Sequence, residues 1–381
     1  MKEALAERLL VRIMNWDYEA VDEKLPPILF MSSLKYDDYD NFFPGTRFLG
    51  SLSRWLYQFE DSEQKEKMLS FVTERLVFIS SSQMSYLITL LYNTKILPSI
   101  IDDVAVATGD NKYHIRRIQN TDAFKKHKRM SLFIGLSDGA HMDIIRRTSG
   151  LNNEQVLNNY YPDNDKVEEL QKKLDETDFL LEGEKHFETL FLIDDFTASG
   201  TSFIRKKDDV FKGKIVKVFN NLFGLHPGDK DGNRDNSHSN LKKLFRNKIK
   251  IKILFCITTK KALKRIHDGI EQYISENPSI NDTWDITWGV DYVQLIDDDV
   301  SNGVLNDSEL LKIIMKNEYC NPADYTKESF QAGAHKQYWL GFDECALPIV
   351  LSHNTPNNSL LTLWQTETEK IKSLFPRISR H

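Results

Sequence analysis

The stretch that decides the fold is Leu190-Phe191-Leu192-Ile193-Asp194-Asp195-Phe196-Thr197-Ala198-Ser199-Gly200-Thr201-Ser202. Its four leading apolar residues predict a short buried strand that ends at two aspartates. A hydroxyl-rich turn follows, and Gly200 is predicted to lead into a helix that continues to Phe219. Ligands of open α/β sheets bind at the carboxyl ends of strands, and helix N-termini bind phosphate. Because two carboxylates repel a bare anion, the expected ligand also offers hydroxyl groups or a metal, as a sugar phosphate with Mg²⁺ does.

Strands and helices alternate on both sides of this stretch. Residues 131–135 form an apolar run, and a turn and a predicted helix at 140–147 follow it. A third strand is predicted at 249–257, with Thr258 or Thr259 capping the next helix, and a fourth lies within 284–296. This alternation predicts an α/β fold with βαβ units and a mostly parallel sheet flanked by helices.

The first third of the chain has the spacing of helices instead. Leu5, Leu9 and Ile13 recur at steps of four and predict one apolar helical stripe. The pair Pro26-Pro27 is predicted to break the helical pattern. Further apolar residues recur at helical spacing through the first hundred residues, so this region is predicted to be all helical.

Three domains are therefore expected. Residues 1–125 form the predicted helical domain, and residues 126–300 form the α/β core. Residues 301–381 form a C-terminal extension that is expected to pack on the core. A chain of 381 residues is long enough for such a division.

Composition limits the class of protein. With 40% hydrophobic and 28% charged residues the chain is typical of a soluble protein. A formal charge of −6 makes nucleic acid an unlikely principal ligand, and no apolar run is long enough for a membrane helix. The three cysteines, Cys256, Cys320 and Cys345, are widely spaced and suit a reducing compartment. We therefore expect a cytoplasmic protein without a membrane partner.

The opening stretch resembles the loop that binds 5-phosphoribosyl 1-pyrophosphate (PRPP) in type I phosphoribosyltransferases. That motif consists of four apolar residues, two acidic residues and a short Thr/Ser/Gly loop. This sequence departs from it at Phe196 and Thr197, where aliphatic residues are common in the family. Purine-using members often have an aspartate near the base where this chain has Ala198. The resemblance therefore argues against salvage of 6-oxopurines.

The resemblance implies a role for each part of the site. Asp194 and Asp195 would be the catalytic residues, binding the ribose hydroxyls directly or through Mg²⁺, and so would also be the metal ligands. The 5′-phosphate would be held by Thr197, Ala198, Ser199, Gly200, Thr201 and Ser202. Ser137, Asp138 and Gly139 would form the loop that contacts pyrophosphate. Residues 148–186 stand where such enzymes carry a mobile covering loop, and residues 226–240 predict a polar loop.

The layout of the whole chain carries a narrower resemblance. A helical domain, a phosphoribosyltransferase-like core and a tail containing His353-Asn354-Thr355-Pro356-Asn357-Asn358 are similar to the effectors of bacterial conflict systems, some linked to retrons. This implies an anti-phage effector that acts on PRPP or a related nucleotide, with protein partners bound through the helical domain. The tail motif is either a tight turn held by asparagine side chains or a loop that closes over the site.

Two other functions fit parts of the sequence. A non-catalytic PRPP or nucleotide sensor could use the same fold. Alternatively, Gly135-Leu136-Ser137-Asp138-Gly139 matches the G-x-S-x-G nucleophile elbow of serine hydrolases. Asp194 or Asp195 and then His353 would complete the chain order of such a triad. The hydrolase leaves the residues from Ala198 to Ser202 without a role, whereas the phosphoribosyltransferase reading uses them.

Overall fold

The computed structural model describes residues 3–158, 162–225, 241–321 and 337–377. The predicted polar loop at 226–240 therefore lies outside the described residues. The chain divides into two compact units. Unit 1 combines residues 1–84 with residues 297–381, and unit 2 consists of residues 85–296.

The elements are numbered here in chain order. The helices are α1 (Glu3–Met14), α2 (Tyr18–Leu34), α3 (Phe48–Tyr57), α4 (Ser62–Glu74), α5 (Ser81–Leu91), α6 (Leu97–Thr108), α7 (Ile115–Gln119), α8 (Asp122–Arg129), α9 (Met142–Ser149), α10 (Asn164–Asp175), α11 (Lys214–Phe223), α12 (Lys260–Ser275), α13 (Ser279–Thr283), α14 (Asp298–Leu305), α15 (Ser308–Ile314) and α16 (Leu361–Trp364). The strands are β1 (Val77–Ile79), β2 (Ser131–Gly135), β3 (Val156–Leu157), β4 (Phe187–Thr197), β5 (Arg205–Lys207), β6 (Val210–Lys212), β7 (Phe245–Thr259), β8 (Asp285–Ile296) and β9 (Ile349–Leu351).

The predicted N-terminal helices form, with two differences. The fully buried residues of α1 are Ala6, Leu10 and Met14. Of the predicted stripe, Ile13 packs against the same core, whereas Leu5 is 58% exposed, so the centre of the buried face is displaced by one position. Both stripes have the same helical period, and only packing against α3 selects between them. Helix α2 also runs through Pro26 and Pro27, where a break is predicted.

The core of unit 1 is built from both ends of the chain. Strand β1 pairs in parallel with β9. Trp55 donates its indole N–H to the carbonyl of Thr362 at 2.9 Å. The side chain of Phe375 is fully buried in the same cluster as the N-terminal helices. The C-terminal segment is therefore part of this helical unit.

Unit 2 is built around a parallel sheet, in the strand order β3-β2-β4-β7-β8. The strand predicted at 131–135 is confirmed at both ends. The strand predicted at 249–257 is present as the longer β7, and the strand predicted within 284–296 is present as β8. Thr259 caps α12 by accepting a hydrogen bond from the Ala262 N–H at 3.1 Å, as its sequence position predicts. The predicted α/β fold class, with a parallel sheet and an N-terminal helical region, is confirmed.

The observed units differ from the predicted domains at both boundaries. Residues 85–125 group with the sheet, because α6 packs against α8 and Lys250 pairs with Asp103 at 2.6 Å. Residues 297–381 group with the N-terminal helices instead of the α/β core. Helical spacing identifies a helix but does not show which layer receives its apolar face.

The segment at 148–186 is not a simple loop where it is described. It contains β3 and α10, and α10 buries Val167, Leu170 and Leu174 in the core of unit 2. This agrees with the helix predicted through those residues but leaves less of the segment to act as a cover. In the described parts of the chain, no helix has the length and apolar character needed to span a membrane.

Candidate functional site

The candidate site lies where the sheet changes the direction of its connections. From β2 the chain moves to β3 on one side, and then returns to β4 on the other side before continuing to β7 and β8. The loops after β2 and β4 therefore leave adjacent strand ends in opposite directions. In open parallel sheets such a switch point is where ligands bind. The loops are the predicted pyrophosphate and PRPP loops.

The sequence predicts that β4 ends at the two aspartates, but the strand continues through them to Thr197. Asp194 pairs in register with Phe255 of β7, and the Asp194 and Asp195 side chains are nearly inaccessible to solvent. A buried carboxylate requires hydrogen-bond or charge partners. The contacts of the two aspartates are therefore the central feature of the site.

Asp194 accepts hydrogen bonds from three groups. Its Oδ1 accepts from the hydroxyl of Ser137 and from the backbone N–H of Asp195, the latter at 3.0 Å. Its Oδ2 accepts from Nζ of Lys214 at 2.8 Å. The first of these contacts joins the predicted pyrophosphate loop to the predicted ribose-binding carboxylate.

Burial dominates the electrostatics of this carboxylate. Burial raises the pKa of Asp194 to about 7; the Lys214 charge opposes this rise, and the charge of Asp195 adds to it. The same negative charges reach Cys256 on β7. Burial first, and then the charges of Asp195 and Asp194, raise the pKa of the Cys256 thiol well above its usual value. The strand ends are thus a region where negative charge is costly and a cationic ligand group is favoured.

Asp195 lies against the backbone of the pyrophosphate loop. A Cβ atom placed on Gly139 would stand 2.8 Å from Oδ2 of Asp195, which is closer than carbon and oxygen normally approach. Only glycine therefore lets the carboxylate sit in this position. Between Ser137 and Gly139, Asp138 is exposed. The structure brings Ser137, Gly139 and both aspartates together, while Asp138 faces solvent.

The predicted phosphate loop is short and mostly buried. Gly200 has φ +73°, and a Cβ there would meet the Ala262 carbonyl at 3.0 Å, so the loop packs directly on the start of α12. Arg265 of α12 donates Nη1 to the carbonyl of Ser199 at 2.7 Å and to the hydroxyl of Thr201. Thr259 donates its hydroxyl to the Ala198 carbonyl at 2.6 Å. These contacts fix the backbone of the loop in one conformation.

The segment after this loop differs from the prediction. No helix starts at Gly200; instead β5 and β6 form an antiparallel hairpin, and α11 begins only at Lys214. The loop is thus not a helix N-terminus, and any phosphate would be held by loop groups alone. In the described part of the chain, the backbone N–H groups of Ser199, Gly200 and Ser202 have no hydrogen-bond acceptor. Adjacent backbone donors of this kind can bind an anion.

Two charged residues of the site were missed by sequence reasoning, namely Lys214 and Arg265. Arg265 is the sixth residue after Thr259, the predicted cap of its helix, so the sequence predicts this helix but not the contact of Arg265 with the loop. Lys214 was placed within a continuous helix, because the hairpin before it was not recognised. The signal available in the sequence is Asp208-Asp209 and Gly213, polar and glycine positions that favour turns.

Asp194 and Asp195 are not equally suited to bind a magnesium ion. Asp194 has three protein donors on its two oxygens and is almost fully buried, so it does not fit a direct metal ligand. Magnesium keeps several waters and is often held by one or two carboxylates together with substrate phosphates. Asp195, beside the pyrophosphate loop, fits that second arrangement better.

The geometry does not favour a serine nucleophile at position 137. Ser137 has extended backbone angles, φ −152° and ψ 168°, and not the strained turn of a nucleophile elbow. Its hydroxyl donates directly to Asp194, where a hydrolase would place a histidine. His353 belongs to unit 1. The side chain of Asn354 accepts from the backbone N–H of Thr355, a local contact typical of a turn, and Asn358 donates to the more distant carbonyl of Phe342.

Comparison with known protein families gives a match over most of the chain. A family model described as PRTase-CE matches residues 52–377, which is most of the chain and includes both predicted loops. No curated protein and no solved structure matches the chain.

Proposed function

The chain belongs to the PRTase-CE family and has a phosphoribosyltransferase-like fold, and we propose that it binds PRPP or a related ribose-5-phosphate nucleotide and transfers or releases the group at C1′. The observation that carries this proposal is the contact between the two loops. Ser137 and Gly139 of one loop touch Asp194 and Asp195, which precede the other. One ligand spanning both loops would need a phosphate, a ribose and a pyrophosphate in that order.

Each part of the ligand has a matching group. The backbone N–H groups of Ser199, Gly200 and Ser202 would bind the 5′-phosphate, with the hydroxyls of Thr197 and Thr201 beside them. Asp195 and Asp194 would accept hydrogen bonds from the ribose hydroxyls. The 137–139 loop would contact the pyrophosphate through its backbone. Arg265 would keep the phosphate loop in shape, since it already bonds Ser199 and Thr201.

The reaction would take place at C1′ of the ribose. The bond from C1′ to the pyrophosphate oxygen breaks with its electron pair leaving on pyrophosphate, and an acceptor atom forms the new bond. Positive charge develops on the sugar, so positioning and charge stabilisation carry the catalysis. Magnesium bound with the pyrophosphate would offset its charge. Asp194 and Asp195 would fix the ribose so that C1′ faces the acceptor.

The test is binding and turnover of PRPP. Titration calorimetry with PRPP and Mg²⁺ should show binding by the wild-type protein, and the double variant D194N/D195N should lose it by at least tenfold while keeping its melting temperature. Release of pyrophosphate, measured with candidate acceptors or with water, would show catalysis. If the double variant keeps full PRPP-dependent turnover, the assignment of the site is wrong.

A non-catalytic sensor remains the second candidate, favoured by one observation. Asp194 is held by three protein donors, an arrangement that can position a bound ligand and requires no reaction. Binding of PRPP without pyrophosphate release would indicate a sensor.

We also propose that the protein acts in anti-phage defence in the cytoplasm. Its protein partners would bind through the helical region. Expression of wild-type and D194N/D195N proteins in bacteria challenged with phage would test the role in defence. Protection that does not depend on the aspartates would separate defence from this site.

A further inference from the structure

Lys214 is held beside the candidate site by its backbone. Its N–H donates to the carbonyl of Ser202 at 3.0 Å, so the start of α11 is tied to the end of the phosphate loop. The preceding Gly213 has φ +130°, and a Cβ there would stand 2.3 Å from the carbonyl oxygen of Phe203. The hairpin can therefore return the chain to this point only with glycine at 213.

The Lys214 side chain is placed between an aromatic ring and Asp194. Its Nζ lies 4.7 Å from the ring centroid of Phe203, within the range of a cation–π contact. The same atom lies 2.8 Å from Oδ2 of Asp194. Asp194 is 1% exposed and Lys214 is 27% exposed, so this is an ion pair with one fully buried member.

The other carboxylate oxygen of Asp194, Oδ1, already accepts two hydrogen bonds. Ser137 and the Asp195 N–H both donate to Oδ1, which leaves Oδ2 to Lys214. A magnesium ligand must approach the ion to about 2.0–2.1 Å. A second cation at that distance from Oδ2 would have to displace the ammonium group of Lys214 or lie against it.

We propose that Lys214 is the resident cation of Asp194 and keeps divalent metal ions away from that carboxylate. Asp194 then acts as a hydrogen-bond acceptor and not as a metal ligand, although the acidic pair suggests both. That the hydrogen bonds to Asp194 would come from a ribose rests on the proposed function. The ion pair and its effect on metal binding do not rest on it.

The test measures metal binding without any nucleotide. Mn²⁺ is titrated into the ligand-free protein at pH 8 and followed by electron paramagnetic resonance. The wild type and D194N should bind Mn²⁺ equally weakly. K214M removes the cation that pairs with Asp194 and leaves two neighbouring carboxylates, Asp194 and Asp195. This variant should bind Mn²⁺ at least tenfold more tightly than the wild type. The double variant D194N/K214M should lose that gain.

Lys206 provides a matched control. It is also 27% exposed, lies 2.8 Å from a carboxylate, Glu276, and has its Nζ 5.4 Å from the ring centroid of Phe211. Because Glu276 is at the surface, K206M should leave Mn²⁺ binding unchanged.

Two results would overturn the inference. One is wild-type Mn²⁺ binding that D194N weakens, which would make Asp194 a metal ligand with Lys214 in place; this comparison needs no Lys214 variant. The other is folded K214M, judged by its melting curve, that binds Mn²⁺ no better than the wild type. Since PRPP is absent from the experiment, neither result depends on whether the protein binds PRPP.

Discussion

Asp194 is a buried carboxylate, and burial moves its pKa towards neutral pH. Its pKa is raised from 3.8 to about 7, mainly by burial. Between these two values the folded protein holds a proton that the unfolded chain has released. Its contribution to stability is therefore present at low pH and is lost as the pH rises towards 7.

We predict that the stability of the wild type relative to D194N falls between pH 5 and pH 7. The difference in free energy of unfolding should decrease by at most about 1.4 kcal/mol for each pH unit. Urea denaturation of both proteins in metal-free buffer measures it. Titrating groups that do not interact with Asp194 are common to the two proteins and cancel in the difference. A difference that stays constant, or that grows with pH, would show that Asp194 is ionised throughout this range.

At the scale of elements, the site depends on two loops that follow neighbouring strands and pack closely against each other. The clearest sign is Gly139, whose missing side chain leaves room for the carboxylate of Asp195. The loop after β2 and the end of β4 therefore fit each other closely, and a methyl group added at Gly139 should move the carboxylate of Asp195.

We predict that G139A lowers the affinity for PRPP and Mg²⁺ at least tenfold. The added Cβ would stand 2.8 Å from Oδ2 of Asp195 and must displace it. Titration calorimetry measures the affinity, and the melting temperature should change little, since the backbone angle at Gly139 is accessible to alanine.

Gly183 serves as the control for this substitution. It lies in a short 3-10 helix at 182–184, and a Cβ there meets no atom within 4 Å. G183A should bind PRPP as the wild type does. Equal affinities for G139A and G183A would show that the position of the Asp195 carboxylate does not matter for binding.

At the scale of the whole molecule, the hydrophobic core of unit 1 includes Phe375 from the C-terminal segment. Phe375 is completely buried among aromatic rings that come from the first eighty residues. The ring centroids lie 5.2–6.0 Å from that of Phe375 and belong to Tyr36, Tyr39, Phe42, Phe48 and Phe78. The N-terminal helices thus need the C-terminal segment to complete their core.

We predict that F375A destabilises unit 1 by about 3–5 kcal/mol, the usual cost of removing a fully buried phenylalanine. Chemical denaturation followed by tryptophan fluorescence would measure this, since Trp55 lies in the same core. Phe179, which is 45% exposed in unit 2, provides the comparison, and F179A should cost less than about 1 kcal/mol. A loss below about 1 kcal/mol for F375A would mean that the C-terminal segment is not needed for the core.

Much of unit 2 could be predicted because its signals are local. The apolar runs of β2, β7 and β8 are each bounded by turn or capping residues, and Thr259 is a cap that sequence alone identifies. Two of the predictions that failed depended on local signals that were equal or weak. The face of α1 is ambiguous by one position, and the hairpin before α11 consists of two three-residue strands, too short to show alternation.

The sequence by itself determined the alternation of strands and helices in unit 2, the buried strand that carries the acidic pair and the hydroxyl-rich loop after it. These depend on neighbouring residues, so their pattern survives without the fold. Only the tertiary structure decided that Lys214 contacts Asp194, that Gly139 makes room for Asp195 and that Phe375 belongs to the N-terminal helices. Each of these is a contact between residues distant in sequence, and such contacts are selected by packing and burial, which no local pattern encodes.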